Sequence, residues 1–145
     1  MNTRTDTFYR HLREWFTVFL PRQRAVSPHT VTACRQAWNL LLSYVDNTRG
    51  IKLEKVTFTV LDRALIAGFL DHMSATRGWK ASTYNQRLAC IRSFFHYAAT
   101  AEPTLAMHLA DISGVQQKKS PNNPPVHHLT TSAITSNEEM MQELL

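Results

Sequence analysis

Two cysteines in 145 residues, Cys34 and Cys90, are too few for a disulfide framework or a set of metal ligands. With four glycines the chain has no phosphate-cradling loop: neither GxxxxGK[ST] nor GxGxxG occurs, and CxxC and HExxH are absent as well. No apolar run approaches the roughly 20 residues that a membrane span needs. The opening MNTRTDTFYRHLREWF is charged throughout and lacks the apolar stretch and small-residue cleavage site of a signal peptide. Acidic residues number 11 against 16 Lys and Arg, and they are scattered. Each carboxylate falls beside a basic residue or in the first turn of a helical segment, where it reads as a solvated surface charge rather than half of an acid–base pair. His127-His128 lacks a third ligand to complete a metal site. These absences predict a soluble, cytoplasmic protein with no metal, no cofactor, no small-molecule substrate and no membrane partner.

The charge that is present is unevenly spread. Residues 1–101 carry 14 basic and 6 acidic side chains, a net of +8, whereas residues 102–145 carry 2 and 5, a net of −3. A hydrophobic content of 43% is enough for one buried core.

Hydrophobic periodicity assigns that core to helices, and no stretch alternates with the period of two expected of a strand. Phe8, Leu12, Trp15, Phe16 and Phe19 form a stripe that predicts a first helix over about 5–19, ended by Pro21. Ser27 is suited to cap a second helix, with Pro28 at the first helical position, where its missing N–H is no loss. Val31, Cys34, Trp38, Leu41, Leu42 and Val45 follow on one face, and Gly50 supplies the left-handed exit. Cys34 on this stripe reads as a small buried thiol. A third helix opens at Thr59 with Asp62 in its first turn, carries Leu61, Leu65, Ile66, Phe69, Leu70 and Met73, and ends at Gly78. The fourth begins near Ala81 and has the cleanest stripe, Tyr84, Leu88, Ile91, Phe95 and Ala98. Residues 1–101 are thus predicted to be an all-α, compact four-helix bundle. Residues 102–128, with the run QQKKSPNNPP, read as a polar linker, and 129–145 as a short tail with a possible helix over 137–145.

The outward faces of the second and fourth helices are unusual. Thr32, Gln36, Asn39 and Ser43 on one, and Ser82, Gln86, Ala89, Ser93 and His96 on the other, are uncharged, where exposed helix faces ordinarily favour Glu and Lys. Thr, Ser, Gln, Asn and Arg are side chains that reach phosphates and base edges, and a net +8 suits counterion release from a polyanion. Tyr97 projects off the main stripe, where it either packs on another element or brings its hydroxyl to a phosphate.

Two segments in order carry a resemblance. Ser27-Pro28-His29-Thr30-Val31 with Trp38-Asn39-Leu40-Leu41-Leu42-Ser43-Tyr44 is similar to the opening of the core-binding domain of tyrosine recombinases, the phage-type integrases. Lys80 to Ala98, with Thr83, Asn85, Leu88, Ile91, Arg92, Phe94, Phe95, Tyr97 and Ala98, resembles that domain's last helix. The resemblance spans roughly residues 8–101. It implies a SAM-like four-helix domain that forms half of a clamp around double-stranded DNA through its second and fourth helices, alongside other recombinase protomers. Carried onto this chain, the implied DNA contacts are His29, Thr30, Thr32 and Arg35 from the second helix and Lys80, Ser82, Thr83, Gln86 and Arg87 from the fourth. Arg92 is read as a structural ion-pair partner. In a prokaryote such a protein would be associated with the nucleoid.

The departures from the family are as informative. Its chemistry resides in a second domain with a tyrosine nucleophile and an H-x-x-R motif, which occurs nowhere in this sequence. Tyr9, Tyr44, Tyr84 and Tyr97 all lie within the binding region, so the expectation is a chain with no strand-cleavage activity of its own. It would be a truncated frame, a fragment or a stand-alone relative. The alternative reading is a helical protein–protein interaction module with Leu40, Phe94 and Tyr97 as its exposed apolar surface.

Overall fold

The computed structural model describes residues 3–22 and 27–118, and among these every regular element is helical. The five α-helices are α1 (Thr3–Glu14), α2 (Pro28–Asn47), α3 (Arg63–Arg77), α4 (Ala81–Ala101) and α5 (Ala106–Ser113). Arg24, the linker beyond Lys118, His127-His128 and the 129–145 tail lie outside the described residues.

The helix ends follow local chemistry. Ser27 caps α2 as its sequence position predicts: its Oγ accepts from the Thr30 amide at 3.2 Å, with Pro28 following in the first turn. Gly50 and Gly78 both adopt positive φ (66° and 67°), which L side chains resist. The start of α3 corrects the sequence reading. Asp62, not Thr59, is the cap, its Oδ1 accepting from the Leu65 amide at 2.9 Å, because residues 57–61 form a turn that buries Phe58 and Leu61 first. The first helix also differs from its expected span. After Glu14 it widens into a π turn, Trp15–Phe19, followed by a 3-10 turn, Leu20–Arg22. The wider turn leaves Trp15 and Leu20 as the buried residues of this stretch, with Phe16 and Phe19 only partly covered.

Aromatic rings fill the core. Phe94 sits at its centre, touching Phe8, Trp15, Trp38, Phe58 and Phe95 with ring centres 5.0 to 5.8 Å apart. It is wholly buried, so it cannot belong to the exposed apolar surface of the interaction-module alternative; Leu40 and Tyr97 are half-buried against the same core. Tyr97 packs on Phe19 at 4.8 Å, the packing outcome of its two readings.

The packed body continues past residue 101, where the sequence reading begins a linker. A 3-10 turn, Pro103–Leu105, leads into α5, which lies along α4 and buries Ile112. Asp111 of α5 accepts from the Arg63 amide at 2.8 Å and so caps α3 from a distance, and Glu102 Oε1 lies 3.2 Å from Arg10 Nη2 of α1. The outer face of α4 expected from the sequence is only partly outward. Ala89 and Ser93 are buried (3% and 0% exposed), so they belong to the packed side of α4 rather than to an outward face, whereas His96 is exposed.

The two cysteines also correct the sequence reading. Cys34 of α2 and Cys90 of α4 are joined in a buried disulfide, with their Cα atoms 5.2 Å apart. Each lies on the apolar stripe of its helix, and the stripes face one another.

Candidate nucleic-acid interface

The crossing of α2 and α4 positions the candidate residues. Cys34 pairs with Cys90, and one turn further along each helix Trp38 meets Phe94. Equal steps in the same direction mean that the two helices run in the same sense over this turn. Their N-terminal ends therefore lie at one end of the bundle. At about 1.5 Å per residue, Pro28 stands about 9 Å and Ala81 about 14 Å before the crossing. His29, Thr30, Thr32 and Arg35 occupy the first turns of α2, and Ser82, Thr83, Gln86 and Arg87 those of α4, with Lys80 as its N-cap residue.

Their surroundings divide them. His29, Thr32, Arg35, Lys80 and Ser82 are exposed, and Thr30, Thr83, Gln86 and Arg87 are half-buried. Thr30 is partly committed to the α2 cap, its hydroxyl 3.1 Å from Ser27 Oγ. Arg35 lies over the Phe16 ring at 5.8 Å, so its stem is steadied while its charge stays in water. Arg87 is held on two sides. Its guanidinium lies 5.8 Å over the Trp79 ring and donates to Gln86 Oε1 at 3.2 Å. Burial lowers the Arg87 pKa, but an arginine starts high enough to remain charged. The only sequence signal for the Trp79–Arg87 stack is a tryptophan two residues before a helix that carries an arginine.

Arg92 is structural, though not through an ion pair. Its Nη2 donates to the main-chain carbonyls of Ser113 and Val115, and burial lowers its pKa too. The sequence reading missed that this contact, and a second from Asn85 to Lys118, bring residues 113–118 along α4.

The tyrosines are engaged within the bundle. The Tyr9 hydroxyl donates to the Leu53 carbonyl at 2.7 Å, Tyr44 is buried against Phe69, and Tyr84 donates to Asp71 at 3.5 Å. Burial is the main reason that the Tyr9, Tyr84 and Tyr97 pKa values lie above the usual phenol value, the opposite of activation. Among the described residues no His, Cys, Asp and Glu converge in a way that could hold a metal ion, and no helix is long and apolar enough to cross a membrane.

Residues 14–102 match the family model described as the phage integrase N-terminal SAM-like domain. Two proteins of Sinorhizobium fredii (strain NBRC 101917 / NGR234) are similar to the chain. "Putative integrase/recombinase y4rD" is 32% identical over 123 residues, 85% of this chain and 43% of that protein. "Putative integrase/recombinase y4rC" is 30% identical over 108 residues, 74% of this chain and 32% of that protein. The chain thus spans less than half the length of these curated relatives. No solved structure matches it.

Proposed function

The chain belongs to the phage integrase N-terminal SAM-like domain family, and from that premise we propose that it is the duplex-DNA-binding module of a tyrosine-type site-specific recombinase. In this reading the first turns of α2 and α4 enter or border the major groove, and the chain by itself does not cleave strands. The observation that carries the proposal is the shared sense of α2 and α4 at the Cys34–Cys90 crossing, which gathers the uncharged and basic side chains of both helices at one end. A major groove about 12 Å wide admits one α-helix, so two helix openings at the same end suit one entering the groove while the other borders the phosphate backbone.

The residues divide by role. Lys80, Arg35 and His29 are exposed donors suited to phosphates, which fix position without reading sequence. Thr83 sits in the first turn of α4, which no side chain caps, so its hydroxyl and the free amides there can together hold a phosphate; Thr30, engaged with Ser27, lies beside the corresponding end of α2. Thr32, Ser82 and Gln86 are the candidates for base edges, with Gln suited to adenine. Arg87, braced on Trp79, reaches the backbone from the edge of the bundle. The absence of strand cleavage is supported by the four tyrosines, each engaged in packing or a hydrogen bond within the bundle. Further recombinase protomers on the same DNA are the expected partners.

The test is binding of the full chain to a panel of labelled duplexes. Lys80→Ala is expected to weaken every duplex alike, whereas Gln86→Ala should flatten the differences between sequences. Equal effects of both variants on every duplex would remove the base-reading part of the proposal. Absence of binding at low salt would remove all of it.

A further inference from the structure

The chain does not leave the bundle where α5 ends. Gly114 and Val115 turn back, Val115 is buried, and Arg92 Nη2 holds the carbonyls of Ser113 and Val115. Three residues on, the Asn85 carboxamide accepts from the Lys118 amide at 2.8 Å and donates to the Lys118 carbonyl at 2.9 Å. This is the two-bond pairing that a neighbouring strand would make, supplied here by one side chain. Asn85 lies two turns nearer the start of α4 than Arg92, so residues 113–118 run back along the helix for about 10 Å, toward Lys80 and Ser82. At the end of this run the exposed Lys118 has its ammonium 5.7 Å over the Tyr84 ring. It has no carboxylate partner among the described residues, where the ion pairs run from Arg10 and His11 to Glu102.

We infer that Lys118 is a phosphate-binding residue of the duplex-facing end, and that Asn85 is a positioning residue acting through it. The inference rests on the duplex-binding reading above and extends the surface beyond α2 and α4. Three features of the geometry point to it. Ser82, a candidate base contact, lies one turn before Asn85 on the same side of α4, so Lys118 borders the site. Both hydrogen-bonding groups of Asn85 are occupied by Lys118, so its carboxamide serves the segment rather than a base. The Tyr84 face steadies the lysine stem while leaving the ammonium in water, where a phosphate can reach it.

The experiment measures affinity for one labelled duplex against salt for the wild-type chain, Lys118→Ala, Lys118→Arg, Asn85→Ala and the double alanine variant. Lys118→Ala should lose about tenfold in affinity near 0.1 M salt and reduce the salt slope by about one. Lys118→Arg should keep the slope. Asn85→Ala removes no charge, yet it should shift the slope in the same direction, and the double variant should be no weaker than Lys118→Ala alone. Wild-type affinity and slope in Lys118→Ala would overturn the inference while leaving the duplex-binding reading intact. Additive losses in the double variant would overturn the role of Asn85, since it would then act on DNA independently. A wild-type chain that shows no salt-dependent binding would remove the duplex reading and this inference together. Should Asn85→Ala not fold, as a circular-dichroism melt would reveal, the exposed Lys118 variants still decide the main point.

Discussion

Trp38 of α2 and Phe94 of α4 meet edge to face with ring centres 5.0 Å apart, one turn beyond the Cys34–Cys90 crossing. This contact sets the relative direction of the two helices, and hence the end of the bundle at which the candidate DNA contacts gather. Phe94→Ala should therefore lower stability by about 3–5 kcal/mol, the usual loss for deleting a large core ring. Urea denaturation followed by tryptophan fluorescence measures it. A loss under 1 kcal/mol would mean that Phe94 is not the centre of the core.

The Cys34–Cys90 disulfide closes a loop with a sequence separation of 56. For a loop of that size the constraint on the unfolded chain is worth about 4 kcal/mol. The oxidised chain should show no reactive thiol in denaturant, and reduction should lower its denaturation midpoint. Two titratable thiols in denaturant without reductant would contradict the pairing.

Ser27→Ala should cost about 1 kcal/mol through loss of the bond from the Thr30 amide, and Ser27→Asp should retain most of it. Thermal denaturation of the three proteins checks this. Equal midpoints would show that the cap contributes nothing.

Tyr9, Tyr84 and Tyr97 give the bundle an alkaline limit. Burial holds their folded pKa values above the usual phenol value of about 10, so the folded state keeps protons that the unfolded chain releases. The stability they contribute is fully present below about pH 10 and is lost as pH rises toward their folded values. Denaturation midpoints measured from pH 8 to 11 should fall at the upper end. A flat profile would contradict the burial of these phenols.

Local signals were legible in the sequence, and contacts distant in the chain were not. Ser27-Pro28, Gly50 and Gly78 act through neighbouring backbone, so composition alone marked the ends they set. The helix α5 has only eight residues, too few for a periodic stripe to mark it. It is held by Asp111 on the Arg63 amide and by burial of Ile112, neither of which has a local signature. The same applies to Ser93, whose small polar side chain reads as exposed surface in the sequence yet is wholly buried in the packed bundle. The choice of Asp62 over Thr59 as a cap depended on where Phe58 and Leu61 bury. At the candidate interface, residue types and helix positions were legible. The bracing of Arg87 on Trp79 and the return of residues 113–118 required the tertiary structure.

The central claim is that the basic, uncharged-faced end of this bundle holds duplex DNA. Its most direct test is fluorescence anisotropy of a labelled duplex titrated with the full chain from about 50 to 200 mM salt. With six or more phosphates engaged, affinity should fall by about 10³-fold or more across that range, linearly on logarithmic axes. Affinity that does not change with salt, or no binding at 50 mM, would contradict the account.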